Sequence, residues 1–311
     1  MIRTDLALEA QELYRENAAA ESAIDGVETD ISQTGNVSVT KIRITNENGA
    51  TALGKPVGTY VTVEAPDLKF NEKDYETACR LAADAIREML SPKPEHVTLV
   101  VGLGNRNVTP DALGPAAVDR LMITTHMKKH MPEYLDDSIG GVCAIIPGVL
   151  GTTGLESAEI VGGVVKEAKP DAVIAIDALA ARSPDRLSTT IQIGNTGIRP
   201  GAGIGNRRGG LSQEALGVPV IAIGVPTVID ASTIVQDTVV QIVQAIEESK
   251  LPEQEREMLI AKTLSQSIDQ MMVTPKDIDL IIERAAKTVA NSINLALHRD
   301  LTFEDIENYV G

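Results

Sequence analysis

The sequence predicts an α/β protein: a three-layer fold in which a twisted, largely parallel sheet carries flanking helices, with an N-terminal β-rich elaboration and C-terminal helices. Three observations carry this. From residue 97 onward, short and nearly continuous Val/Ile runs recur, as in strands covered on both faces. Stretches of helical spacing alternate with these runs, the order expected of an α/β sheet. Hydrophobic residues are 43% of the 311, yet aromatics are only 2% with no Trp, so the core has to be built from Ile, Val, Leu, Ala and Met.

Along the chain, residues 4–18 show acid-rich helical spacing. Two alternating runs, NVSVTKIRIT (36–45) and GTYVTVEA (58–65), predict strands of a hairpin or small sheet joined by the turn-rich NENGATALGKPV. Residues 71–90 predict an amphipathic helix with Tyr75, Ala78, Ala82, Ile86 and Leu90 on one side, closed by SPKP. The apolar runs are VTLVVGL (97–103), GGVCAIIP (140–147), AVIAIDAL (172–179), TIQI (190–193) and VPVIAIGV (218–225). Helices are predicted over 252–270 and 275–297, the second opened by Thr274-Pro275. With no repeat, low-complexity tract or clear linker, residues 1–311 read as a single domain: an elaboration over 1–70, an α/β core over 97–250, and C-terminal helices over 251–311.

Composition narrows the functions. The longest apolar stretches, 142–150 and 218–229, fall short of the roughly 20 residues that cross a bilayer. The N-terminus carries acids early and has no apolar signal region, which argues against secretion. Cys79 and Cys143 read as buried, reduced thiols of a cytosolic protein. A net charge of −16 opposes direct nucleic-acid binding. One region runs against that field: between Ala178 and Gln213, five arginines stand against the single acid Asp185.

Known nucleotide loops do not fit. Gly102-Leu103-Gly104 follows a strand, but Asn107 stands where a dinucleotide loop needs its third glycine, and no P-loop motif occurs. Asp111 has two readings. Thr109 as N-cap, Pro110 as first helical residue and Asp111 in the first turn would start a helix with no further role; Thr274-Pro275-Lys276-Asp277 has the same syntax. Alternatively Asp111 does chemistry, since it follows the carboxyl end of a strand, where α/β sheets gather ligands. Asp177 shares that address at the end of the otherwise apolar AVIAIDAL, and a carboxylate there is costly unless it is partnered or faces a cleft. Two such carboxyls in one cleft would separate their protonation states, leaving one to take a proton from water and the other to give one up.

Other chemistries fit less well. His126 and His130 are four residues apart without a zincin motif, and no G-x-S-x-G elbow occurs. The arginine island, with Arg182, Arg199, Arg207 and Arg208, includes the glycine-rich IRPGAGIGNRRGG (198–210). It reads either as a solvated loop or as a recogniser of substrate carboxylates.

Four segments in order, GLGNRNVTPDALGP (102–115), IPGVLGTTGLES (146–157), AVIAIDALAARS (172–183) and TIQIGNTGIRPGAGIGNRRGGLS (190–212), together with the opening IRTDLALEA, resemble the germination proteases of spore-forming bacteria over nearly the whole chain. The resemblance implies a phosphorylase/hydrolase-like fold shared with hydrogenase-maturation peptidases, and a catalytic aspartate pair that falls by motif on Asp111 and Asp177. It implies an endopeptidase without cofactor or metal, cutting small acid-soluble spore proteins after acidic residues, in the cytoplasm of the spore core. It further implies a homotetramer and a zymogen activated by loss of a short N-terminal segment, most or all of which this chain would lack. The nickel-dependent maturation peptidases are the alternative, but they require a histidine downstream of the second acid, and 178–297 has none. Peptidyl-tRNA hydrolase, suggested by Gly102–Asn105, is opposed by charge and by motif placement. A non-enzymatic scaffold is the remaining reading.

Overall fold

A computed structural model describes residues 4–18, 24–66, 68, 71–136, 138–198, 209–231, 233–235 and 271–310. Helix α1 (Ala7–Ala18) precedes a hairpin of β1 (Val27–Thr34) and β2 (Val37–Ile44), in register from Val27↔Ile44 to Thr34↔Val37. The connection read as turn-rich contains helix α2 (Glu47–Leu53). It is too short to show a period, but its ends are written locally: the Asn46 side chain accepts the Gly49 N–H, and Gly54 closes it in left-handed backbone. Strand β3 (Gly58–Glu64) and the long helix α3 (Glu72–Leu90) follow, α3 being capped by Asn71.

The chain continues through β4 (Val97–Gly102), α4 (Leu113–Val118), α5 (Thr125–His130), β5 (Gly141–Ile145), α6 (Leu150–Thr153), α7 (Ser157–Ala168) and β6 (Ala172–Ala181). Next come β7 (Thr190–Gly194), α8 (Gln213–Leu216), β8 (Val220–Asp230), β9 (Met272–Val273), α9 (Ile278–Leu297) and α10 (Phe303–Val310). Helix α9 realises the helix expected over 275–297; the one expected over 252–270 lies outside the described residues.

The sheet is mixed, which corrects the expectation of a largely parallel one. Its order is β1-β2-β3-β7-β8-β6-β4-β5, with β9 on β8. Among the described residues, β5, β4, β6 and β8 run parallel, while the pairs β1–β2, β2–β3, β3–β7, β7–β8 and β8–β9 are antiparallel. The short 182–189 connection explains one reversal, because a parallel return needs a crossover of about a dozen residues. β7 therefore comes back against β8 and offers its other edge to β3, so the N-terminal strands extend the main sheet.

The apolar side chains form clusters on both sheet faces. Ile174 and Ile176 of β6 join a cluster with Ala82 and Ile86 of α3, Leu113 and Ala117 of α4, and Val289 and Ile293 of α9. Val173 and Ala175, the alternate positions, join another with Val161 and Val165 of α7. Each fully buried Val, Leu or Ile side chain contributes roughly 1.5–3 kcal/mol, and the few aromatics add to this, since Tyr75 of α3 is fully buried in the first cluster and meets Phe303 edge to face.

Candidate active site

The site lies where neighbouring strands end at different heights. β4 pairs with β6 as far as Gly102↔Ile176, and Leu103 then leaves the ladder, its N–H donating to the Ile176 carbonyl at 2.8 Å. The next β6 residue, Asp177, therefore has β8 on one side, opposite Gly224, and lies past the end of β4 on the other. The expectation that Asp177 ends its strand is corrected: β6 runs on to Ala181, since β8 continues beside it. Along the β6 row of alternate positions, Val173 and Ala175 belong to the α7 cluster, while Leu179 and Ala181 pack with Leu6. Asp177 interrupts this apolar row between the two clusters, and is only 8% exposed.

Asp111 is placed by a tight turn. Residues Thr109–Asp111 form a single 3₁₀ turn that Val108, not Thr109, precedes, and α4 begins only at Leu113. The Asp111 carboxylate does not cap α4: it reaches back to accept the Asn105 N–H at 2.8 Å, and the same N–H lies 3.1 Å from the Asp111 carbonyl. The turn closes because Gly104 adopts φ 107, with its missing Cβ aimed at the Asp111 carbonyl; a Cβ there would stand 2.0 Å away. From the other side, the Thr227 hydroxyl of β8 donates to the Pro110 carbonyl at 2.8 Å, and the Thr274 hydroxyl donates to Thr227. Thr274 thus ties the 271–277 segment to β8 and does not start α9, which opens at Ile278.

Electrostatics join the two acids. Burial pushes the Asp177 carboxyl well above the usual range and the nearby charge of Asp111 pushes it further; the Ala178 N–H, donating at 2.9 Å, pulls the other way, and the charge of Asp5 adds a smaller upward push. Burial also raises Asp111, opposed by the Asn105 N–H. Asp5 reaches this place because its own N–H donates to the Ala180 carbonyl while its carboxylate accepts the Ala180 N–H at 2.9 Å. The Lys55 ammonium donates to the carbonyls of Thr4 and Asp5, and burial lowers its pKa. The structure therefore brings the sequence-predicted Asp111 and Asp177 together. Thr227, Asp5 and Lys55 escaped the sequence reading, and no local motif marks them.

Of the predicted arginines, Arg182 follows β6 and pairs with Glu16 of α1 at 2.9 Å, while its N–H donates to buried Glu9. Arg199, Arg207 and Arg208 lie outside the described residues. Arg186, also in the island, is held by Glu12, Glu64 and Glu9, so this cation is consumed inside the fold. His126 and His130 share the short helix α5. Among the described residues no cluster of three His, Cys, Asp or Glu could hold a metal ion, and no helix is long and apolar enough to cross a membrane.

Comparison with known proteins adds what geometry alone does not give. The germination protease family model matches residues 7–249 and 246–310. A germination protease of Caldanaerobacter subterraneus is 48% identical over 318 residues, covering 98% of this chain and 97% of the relative. One of Clostridium tetani is 44% identical over 323 residues, covering 100% and 99%. One of Bacillus subtilis is 39% identical over 356 residues, covering 99% and 96%.

Proposed function

The chain belongs to the germination protease family, and on that premise we propose that it is an endopeptidase of atypical aspartic type in which Asp111 and Asp177 share one water molecule. The observation that carries this is the place of Asp177, only 8% exposed on β6 just past the end of β4, where burial and the charge of Asp111 both raise its pKa. Asp177 keeps the proton and Asp111, relieved by the Asn105 N–H, is the ionised member. Asp111 removes a proton from water as the water oxygen bonds to the substrate carbonyl carbon. Asp177 gives its proton to the substrate as the C–N bond breaks and the amine leaves. Transfer of a proton from Asp111 back to Asp177 restores the pair. Positioned acid and base groups of this kind are worth on the order of 10²–10⁴ in rate.

The substrates we propose are small acid-soluble spore proteins, cut in the spore core after acidic residues by a homotetramer. The sequence of the arginine island supports that preference, since Arg199, Arg207 and Arg208 add three cations within ten residues of an otherwise acidic chain. A purified acid-soluble spore protein is the test, with fragments read by mass spectrometry and the enzyme's mass by sedimentation equilibrium. Cuts on the carboxyl side of Glu or Asp are expected; an intact substrate, or cuts indifferent to the preceding residue, would overturn the proposal.

A further inference from the structure

A pocket lies at the end of the sheet opposite the aspartate pair. It is an open surface depression of about 460 Å³ lined by Arg87, Ser91, Pro92, Lys93 and Arg299. Three positive side chains converge there from three segments: the end of α3, the connection before β4, and the residues after α9. In a chain of net charge −16, that convergence opposes the general field.

The macrodipole accounts for one of the three, since Arg87 stands in the last turn of α3 and is paired with Asp84 at 2.9 Å. Lys93 and Arg299 lie outside the helices, and among the described residues neither has a carboxylate partner, not even the adjacent Glu95 and Asp300. Both guanidinium groups are pre-positioned by main-chain carbonyls: Arg87 donates to Leu295 and Arg299 to Pro92. A guanidinium has five N–H donors, so each retains donors for a ligand, and the planar fork suits carboxylate or phosphate oxygens.

We propose that this pocket is a binding site for a small dianion of the phosphate or dicarboxylate kind. The six residues of β4 separate it from the Asp111 turn by roughly 20 Å, so the anion does not touch the aspartate pair, and the proposal stands independently of the protease mechanism. The test is calorimetric titration of the full-length protein with inorganic phosphate and, separately, with malonate, at ionic strength held constant with chloride. Saturable binding near one site per chain is expected in at least one arm, and the arm that binds identifies the anion chemistry. Lys93→Gln and Arg299→Gln alter exposed side chains, and each should weaken binding about tenfold. No binding beyond the chloride control in either arm, or unchanged affinity in both variants, would overturn the proposal.

Discussion

The hydroxyl of Thr227 holds the carbonyl of Pro110 at 2.8 Å, so a buried β8 side chain fixes the peptide immediately before Asp111. Thr227 is 1% exposed, and the Pro110 carbonyl would otherwise lose its partner inside the fold. Thr227→Val keeps the shape and removes the donor. About 1 kcal/mol of stability should be lost, and kcat should fall around tenfold with KM nearly unchanged, because the base would wander while the substrate contacts remain. Thr227→Ser should restore most of the rate. Equal activity of the Val and wild-type proteins in a peptide-cleavage assay would remove Thr227 from the positioning of Asp111.

Asp111→Asn and Asp177→Asn should each lower kcat by at least 10², but their effects on stability should differ. Asp177 has a folded pKa raised above its unfolded value near 3.9. Its contribution is therefore fully favourable below the unfolded value and is lost as pH rises through the folded one. At pH 8, Asn at position 177 removes a buried group under pressure to ionise, so the melting temperature should rise or hold while activity disappears. Asp111→Asn forfeits the charge-assisted bond from Asn105 and should gain less. Thermal melts at pH 5 and pH 8 check this; a variant destabilised more at pH 8 than at pH 5 would contradict the shift.

Arg207→Gln with Arg208→Gln should raise KM for peptides that carry Glu or Asp before the cut several-fold, while leaving neutral peptides unaffected. The preference of the wild-type enzyme should also decline with added salt, since exposed charge pairs are screened within about 10 Å at 0.1 M. An equal loss on acidic and neutral peptides would assign the pair to the scaffold.

Sequence patterns reveal those features whose cause is local. The Val/Ile runs of β4, β5, β6 and β8, the 3.6-residue spacing of α3 and the position of Asp111 after a strand can all be read without coordinates. Strand direction cannot, because an apolar run such as TIQI reads the same in a parallel or antiparallel pair; the short 182–189 connection was the available clue to β7. Strand β1, VETDISQT, is largely exposed and lacks the alternation that a one-sided core imposes. At the site, the same Thr-Pro syntax occurs before Asp111 and before Asp277, and neither threonine proves to start the helix that follows. Thr227 and Asp5 owe their places to contacts across 117 and 175 residues, distances over which no spacing rule operates.

The aspartate pair also predicts the shape of the pH profile. kcat/KM requires Asp111 ionised and Asp177 protonated, so activity should rise with pH as Asp111 loses its proton and fall as Asp177 does. Asp5 offers a way to move one limb alone. Its charge raises Asp177 and is not among the causes that shift Asp111. Asp5→Asn keeps an oxygen to accept the Ala180 N–H while removing the charge, so Asp177 ionises more readily. The alkaline limb should move to lower pH, by a fraction of a unit because Asp5 is the smallest of the causes acting on Asp177, and the acid limb should stay in place. If the acid limb moved instead, the protonation assignment would have to be reversed, with Asp177 acting as the base.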